Sequence, residues 1–296
     1  MKKFLRSKDD LIFNIVNYTL LGLALVIYLY PLIYIVSSSF SSVDAVVKGK
    51  VWLFPVEFSL DGYKAVFKSS KIWTGYLNSF IYMIVGTAIN LVVTLMAAYP
   101  LSRQDLKGRN AIMMFFTFTM IFSGGIVPTY LVVSKLKLIN TIWAMVIPGA
   151  LSVYFMIIAK TFFQTTIPVE LQEAAEMEGC STPKLIWYII LPLSKAIIAV
   201  LILFYAIAHW NSYFDALLYL NTEDKQPLQI VLREILIRNE QNASMLRDAE
   251  LMEKSEGLKQ LLKYSLIVVS SLPVLCIYPF VQKYFVKGVM IGSVKG

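Results

Sequence analysis

Six windows of this chain run without a single charged residue: 11–43, 72–102, 110–134, 138–159, 196–214 and 264–282. They are 33, 31, 25, 22, 19 and 19 residues long. A helix needs roughly 20 apolar residues, at about 1.5 Å each, to cross a ~30 Å hydrocarbon core. Each window is therefore at or near spanning length. One isolated apolar run of 19 residues could be a buried helix or strand, but six in succession leave that reading little room. A membrane barrel requires alternation of apolar and polar positions, and Ile198 to Ile207 does not alternate. The pattern predicts an all-α integral membrane protein with six transmembrane helices in one domain. The expected spans are about 11–37, 76–102, 110–134, 138–164, 195–219 and 264–286, with outer loops at 38–75 and 220–263 and a tail at 287–296.

Composition sharpens this. The windows hold 149 of the 296 residues, so all 46 charges fall on the other 147. Overall charge is only 16%, against about 25% for soluble domains. A soluble enzyme, a secreted disulfide scaffold and a disordered chain are excluded. The two cysteines, Cys180 and Cys276, form no CxxC pair and read as packing residues. No metal site is expected. The N-terminal MKKFLRSKDD has the charge order of a signal peptide, but the apolar run after it exceeds the usual 7 to 15 residues. It reads as a retained first span.

Lys and Arg set the expected orientation through short segments. Lys2, Lys3, Arg6 and Lys8 precede the first window, Arg103, Lys107 and Arg109 fill the second connection, and Lys283, Lys287 and Lys295 follow the last. Lys135 and Lys137 argue mildly the other way. A multi-pass protein of the cell membrane with both termini in the cytoplasm is expected. The net charge of +8 suits contact with anionic membrane lipid, and nothing points to nucleic acid.

Two loops are too long to be simple connections. Residues 44–71 contain the Asp61-Gly62 turn signal and predict a short hairpin or helix. Residues 221–263 place Leu228, Val231, Leu232, Ile235 and Leu236 at helical spacing, with Glu250 and Lys254 as an i, i+4 pair. Two amphipathic helices are expected there. The loop contains no aromatic residue, so a protein suits it better as a partner than a stacked sugar.

The segment TTIPVELQEAAEMEGCSTPKLIWYIILP, residues 165–192, has a different grammar. Pro168 suits a first helical turn and Gly179 a left-handed C-terminal position, so residues 168–178 predict a three-turn helix. Ser181, Thr182 and Pro183 restart a second helix, which Pro192 is expected to break. Glu170, Glu173 and Glu176 form an acidic row beside the small Ala174 and Ala175. Either this is an ordinary charged helix face or it is a docking surface for a basic partner.

Glu173-Ala174-Ala175, then Gly179, then Ile190-Leu191-Pro192 resembles the EAA motif of permease subunits in ATP-binding-cassette importers. Along its whole length the chain resembles the maltose-type carbohydrate permeases, through Trp210-Asn211 to the Lys-Gly-x-x-x-Gly-x-x-Lys-Gly tail. The loop around Gln226-Pro227-Leu228-Gln229 resembles the complex-oligosaccharide branch. Glu178 and Cys180 stand where the family often has Asp and Ala.

The resemblance implies the type I importer permease fold, with 165–192 as the coupling hairpin. It implies that Glu173, Ala174, Ala175, Glu176 and Gly179 dock an ATPase subunit, and that Lys287, Gly288, Gly292, Lys295 and Gly296 approach the ATPase interface. The implied partners are a second homologous permease, two ATPase subunits and an extracytoplasmic solute-binding protein. ATP and Mg would be bound by the partner ATPase, because this chain lacks a G-x-x-x-x-G-K-[ST] loop. No catalytic residue or cofactor of its own is expected.

A substrate path is only faintly drawn. Tyr205, His209 and Ser212 share one helical face, with Asn211 beside them, and polar residues in a span face a bundle interior or cavity. His209 reads more readily as an interhelical hydrogen-bonding residue than as a sugar ligand, and Trp210 and Tyr213 fit a belt at the membrane interface equally well. An importer of sugars, in particular oligosaccharides, is the expected function. The alternatives are an importer of amino acids or peptides and, further off, a secondary transporter, although the windows hold no Asp, Glu, Lys or Arg to relay ions.

Overall fold

The computed structural model describes residues 8–242, 257–277 and 279. The tail from Lys287 to Gly296, the Glu250–Lys254 pair and the second helix expected in the 221–263 loop lie outside the described residues. Every described regular element is helical, and no strand occurs among them. The chain divides into two compact units, Met1–Ser70 with Leu232–Leu272, and Lys71–Val231 with Pro273–Gly296.

In the first unit, α1 (Lys8–Ser39) is apolar after its charged first residues, and the most hydrophobic window of Asp10–Ser39 contains no buried residue. Its C-terminal serines turn the chain back. Ser37 donates to the Leu53 carbonyl at 2.7 Å, Ser41 accepts from the Val56 amide at 3.0 Å, and Ser39 bonds the Tyr63 hydroxyl at 2.8 Å. Two short helices follow, α2 (Val43–Val47), capped by Ser42, and α3 (Asp61–Lys68). The expected turn at Asp61-Gly62 is instead the first turn of α3. Gly62 is small for a packing reason, since a methyl group there would overlap Ser265 and crowd Leu261.

The second unit is organised on α4 (Ser70–Ser102). One face of α4 is lined by Gly75, Ser79, Tyr82, Met83, Gly86, Asn90, Thr94 and Ala98, at spacings of one, three and four, and all are buried. Around it run α5 (Arg109–Ile121), α6 (Ile126–Lys135), α7 (Ile142–Val146) and α8 (Val153–Thr166). They are followed by α9 (Val169–Met177), α10 (Thr182–Leu193), α11 (Lys195–Trp210) and α12 (Phe214–Tyr219). A helix α13 (Leu228–Asn242) begins at the end of this unit, and α14 (Gly257–Ile277) begins within the first.

Three helices, α1, α4 and α14, are long and apolar enough to cross a membrane unbroken, and two bent pairs pass the same test jointly. Three of the expected continuous spans are therefore interrupted. The 110–134 span turns through 110° between α5 and α6, where Gly124 and Gly125, the latter at φ +90°, relieve the backbone. The 138–164 span is broken between α7 and α8 by Pro148-Gly149. The 195–219 span stops at Trp210 and restarts at Phe214. Pro192 does not end its helix: α10 continues to Leu193, and the wider π turn over Ile186–Ile190 accommodates the missing N–H. The break comes at Ser194, where α10 and α11 meet at 83°.

Candidate coupling hairpin and the polar seam of α4

The hairpin follows the sequence pattern closely. Val169–Met177 is helical, Glu178 caps it, and Gly179 sits at φ +74°. The Gly179 and Cys180 amides donate back to Glu176 and Ala175 carbonyls at 3.0 and 2.9 Å, which closes the helix in the glycine-ended manner. No heavy atom lies within 4 Å of a Cβ built on Gly179. Its requirement for glycine is therefore conformational, not steric.

The acidic row divides. Glu170 and Glu173 are exposed and make no ion pair among the described residues. Glu176 is not part of an unpaired row, because Arg103 reaches it at 2.8 Å. The two alanines divide as well. Ala174 is exposed, whereas Ala175 packs inward with Ala98, Tyr99, Leu101, Phe163 and Leu185. The outward face of α9 is thus Glu170, Glu173 and Ala174, and the inward face is Ala175.

Arg103 was legible in the sequence only as a topological charge. In the structure its guanidinium forms a fork with Asp105, at 2.9 and 3.1 Å, and lies 3.5 Å from the Tyr99 hydroxyl. The Asp105 fork, more than Tyr99 or Glu176, pushes the Arg103 pKa above its ordinary value, and Asp105 is held below the usual carboxylate range in return. Gln164 of α8 donates to the Ser102 carbonyl at 3.2 Å. The ends of α4, α8 and α9 therefore meet at one polar junction.

The residues expected to line a substrate path are placed differently from one another. His209 is buried, with Nε2 2.6 Å from the Asn90 Oδ1, and Asn90 donates to the Gly149 carbonyl at 2.6 Å. Tyr205 is buried with its hydroxyl 2.6 Å from that of Thr94. Both are interhelical hydrogen-bonding groups between α4 and α11. Asn211 and Ser212 bond carbonyls of their own helix end, Ile207 at 2.9 Å and His209 at 2.8 Å. Trp210 is not a belt residue. It is 1% exposed, edge-on to Tyr76 and Phe80 at 5.5 and 5.2 Å.

Sequence reasoning missed Asn90 and Thr94, although the small and polar residues of α4 recur at helical spacing and could have signalled a buried face. It also missed Asn140, at φ +61°, whose Oδ1 accepts from the Asn221 and Thr222 amides at 3.2 and 3.3 Å. The segment after α12 is strapped along α4. Asn78 donates to the Asp224 and Gln226 carbonyls at 2.7 and 3.0 Å, Tyr82 to the Lys225 carbonyl at 2.6 Å, and the Leu228 amide to Ser79 at 2.9 Å. Gly75 lets Leu228 and Val231 approach the α4 backbone.

Apolar helices of spanning length joined by an interhelical polar seam define a helical membrane protein, and its relatives say which kind. No protein-family model matches the chain. It is 41% identical over 290 residues to Protein LplC of Bacillus subtilis, covering 98% of this chain and 97% of that protein. It is also 41% identical to the polygalacturonan/rhamnogalacturonan transport system permease protein YtcP of the same organism, covering 96% and 99%. Among solved structures, a chain of a bacterial ABC transporter involved in the import of the acidic polysaccharide alginate matches with a TM-score of 0.86 and 34% identity, over 96% of this chain and all of that one. The chain belongs to the family of membrane-spanning permease subunits of ABC importers for oligosaccharides.

Proposed function

We propose that this permease has six spans in the type I arrangement and carries acidic, uronate-containing oligosaccharides. In this reading the α9–α10 hairpin is the element that receives an ATPase subunit. The observation that carries the docking role is the exposed, unpaired Glu173 beside Ala174 on a helix closed by Gly179 at φ +74°. Glu173 supplies the charge for a basic residue of the ATPase, Ala174 the close approach, and Gly179 the hairpin angle. ATP and Mg are held and hydrolysed on that partner, and this chain transmits the closure. The hairpin and both termini then lie in the cytoplasm, on the side of Arg103, Lys107 and Arg109, and the Lys287–Gly296 tail reaches toward the ATPase pair. A second homologous permease completes the pathway. The strapped segment 221–231 and the loop after it face outward to receive an extracytoplasmic binding protein.

The acidic substrate class is supported by the relatives, which carry polygalacturonan/rhamnogalacturonan and alginate. Tyr205 and His209 serve this function by joining α4 to α11, leaving Asn211 and Ser212 at the helix end as the polar groups nearest to a path. The test uses the intact complex purified through this chain. Glu173→Lys should reduce ATPase copurification about tenfold or more, since reversing one charge of a desolvated pair costs several kcal/mol. An unchanged yield of ATPase with normal uptake would refute the docking role. Uptake into reconstituted vesicles should be competed by galacturonate oligomers and not by neutral oligomers of equal length; equal competition would remove the acidic preference.

A further inference from the structure

Arg103 and Glu176 join the hairpin to the end of α4. Glu176 stands on the hairpin helix α9, and Arg103 is the first residue beyond α4. The chain already ties α9 covalently to α8 on one side and, through Gly179, to α10 on the other. The helix is far from α4 along the chain. Two contacts join it to the end of α4: Ala175, set into the apolar cluster with Ala98, Tyr99 and Leu101, and the 2.8 Å ion pair from Arg103 to Glu176.

The two contacts differ in what they specify. Apolar packing around a methyl group is non-directional and tolerates rotation of α9 about its own axis. A guanidinium fixed in a planar fork does not. Asp105 holds Arg103 at Nε and Nη2, which leaves Nη1 between the Tyr99 hydroxyl at 3.5 Å and Glu176 at 2.8 Å. Arg109 in turn reaches the Arg103 carbonyl at 3.4 Å. The charge on α9 is thus held against a preformed acceptor-bound arginine. Rotation of α9 is carried to the end of α4, the helix that bears Asn90 and Thr94.

We infer that Arg103 is a positioning residue of the transport cycle: its ion pair with Glu176 passes movement of the hairpin to α4 and sets how much transport each ATP yields. This rests on the coupling role proposed above for α9. Because Arg103 and Glu176 are 21% and 50% exposed, the pair contributes little to stability. Its effect is on coupling.

The experiment measures sugar delivered per ATP hydrolysed by the complete complex in vesicles, with ATPase copurification scored separately. The variants are Arg103→Glu, Glu176→Arg and the two together, with Arg103→Gln as a milder single change. Each Arg103 change should leave the ATPase bound and lower transport per ATP by about fivefold or more, the size of an ordinary coupling effect, and Glu176→Arg should lower the same ratio in the complex that assembles. The double exchange is made in an Asp105→Asn background, which removes the carboxylate that would repel a new one at position 103, and should recover most of the ratio of Asp105→Asn alone. Wild-type ratios in the single variants would overturn the inference, as would a double variant no better than the worse single one. Loss of assembled complex with an unchanged ratio in what remains would also overturn it, leaving a merely structural pair. Loss of ATPase binding in Glu173→Lys alone bears on the docking role and not on this pair, so the two ideas fail separately.

Discussion

The hairpin and the seam both place polar side chains on apolar helices, yet they treat them in opposite ways. Along α4 and α11 the polar groups of Asn90, His209, Thr94 and Tyr205 are buried and bonded to one another or to the Gly149 carbonyl. On α9, Glu170 and Glu173 are exposed with no ion pair among the described residues. A buried polar group without a partner is costly, whereas an exposed one is not. These four groups are therefore satisfied within the chain, and the hairpin face presents its charges outward. His209, read from the sequence as an interhelical hydrogen-bonding residue more readily than a sugar ligand, is such a joint between two helices.

If the contrast is right, changes in the seam should be read in stability and changes in the hairpin in assembly. The largest expected effect is Gly86→Val. The His209 ring occupies the place of any Cβ at Gly86, so the substitution forces α11 away and breaks the Asn90–His209 bond. Overpacking alone costs typically about 1–3 kcal/mol. A clear fall in the thermal unfolding midpoint of the detergent-solubilised complex is expected, and an unchanged midpoint would contradict the close approach. Asn90→Leu comes next. It leaves His209 Nε2 and the Gly149 carbonyl unpartnered, at about 1–2 kcal/mol for interhelical bonds in a membrane. The same measurement checks it.

Gly179→Val reverses the readout. A side chain at φ +74° meets no neighbour, so its cost is the local backbone strain of about 1–2 kcal/mol. The turn would reopen and tilt α9. We expect ATPase copurification to drop several-fold while the unfolding midpoint of the permease moves little. Gly179→Asn, which tolerates the left-handed region better, should keep more of the ATPase. Equal losses from both variants would point to something other than backbone conformation.

These outcomes also bear on what a sequence can disclose. The hairpin was readable because its determinants are local: Pro168 at the start, Gly179 at the end, and three glutamates at fixed spacing, all within one short stretch. The seam was not, because Asn90 and His209 are far apart in the chain and each looks like an isolated polar residue in an apolar run. The charge-free windows mark apolar stretches, but helix continuity depends on backbone freedom. Gly124-Gly125 and Pro148-Gly149 lie inside windows that hydropathy alone treats as uniform. Arg103 is the opposite case. Its charge was visible from the start, and only the folded arrangement shows that it is aimed at Glu176.

The smallest effect is the most discriminating test of the seam. Tyr205 and Thr94 bond hydroxyl to hydroxyl at 2.6 Å, and Tyr205→Phe and Thr94→Val each remove one partner with little change of shape. Interhelical hydrogen bonds in membranes average about 0.6 kcal/mol in double-mutant cycles, so each single change should lower stability by an amount of that order. The double variant should cost less than the sum of the two, because the bond can be lost only once. Strict additivity would mean that the hydroxyls do not share a bond in the working protein. If Tyr205 instead touches sugar, Tyr205→Phe should weaken uptake at low substrate concentration while Thr94→Val does not. The joint in α4 and α11 predicts that the two variants behave alike.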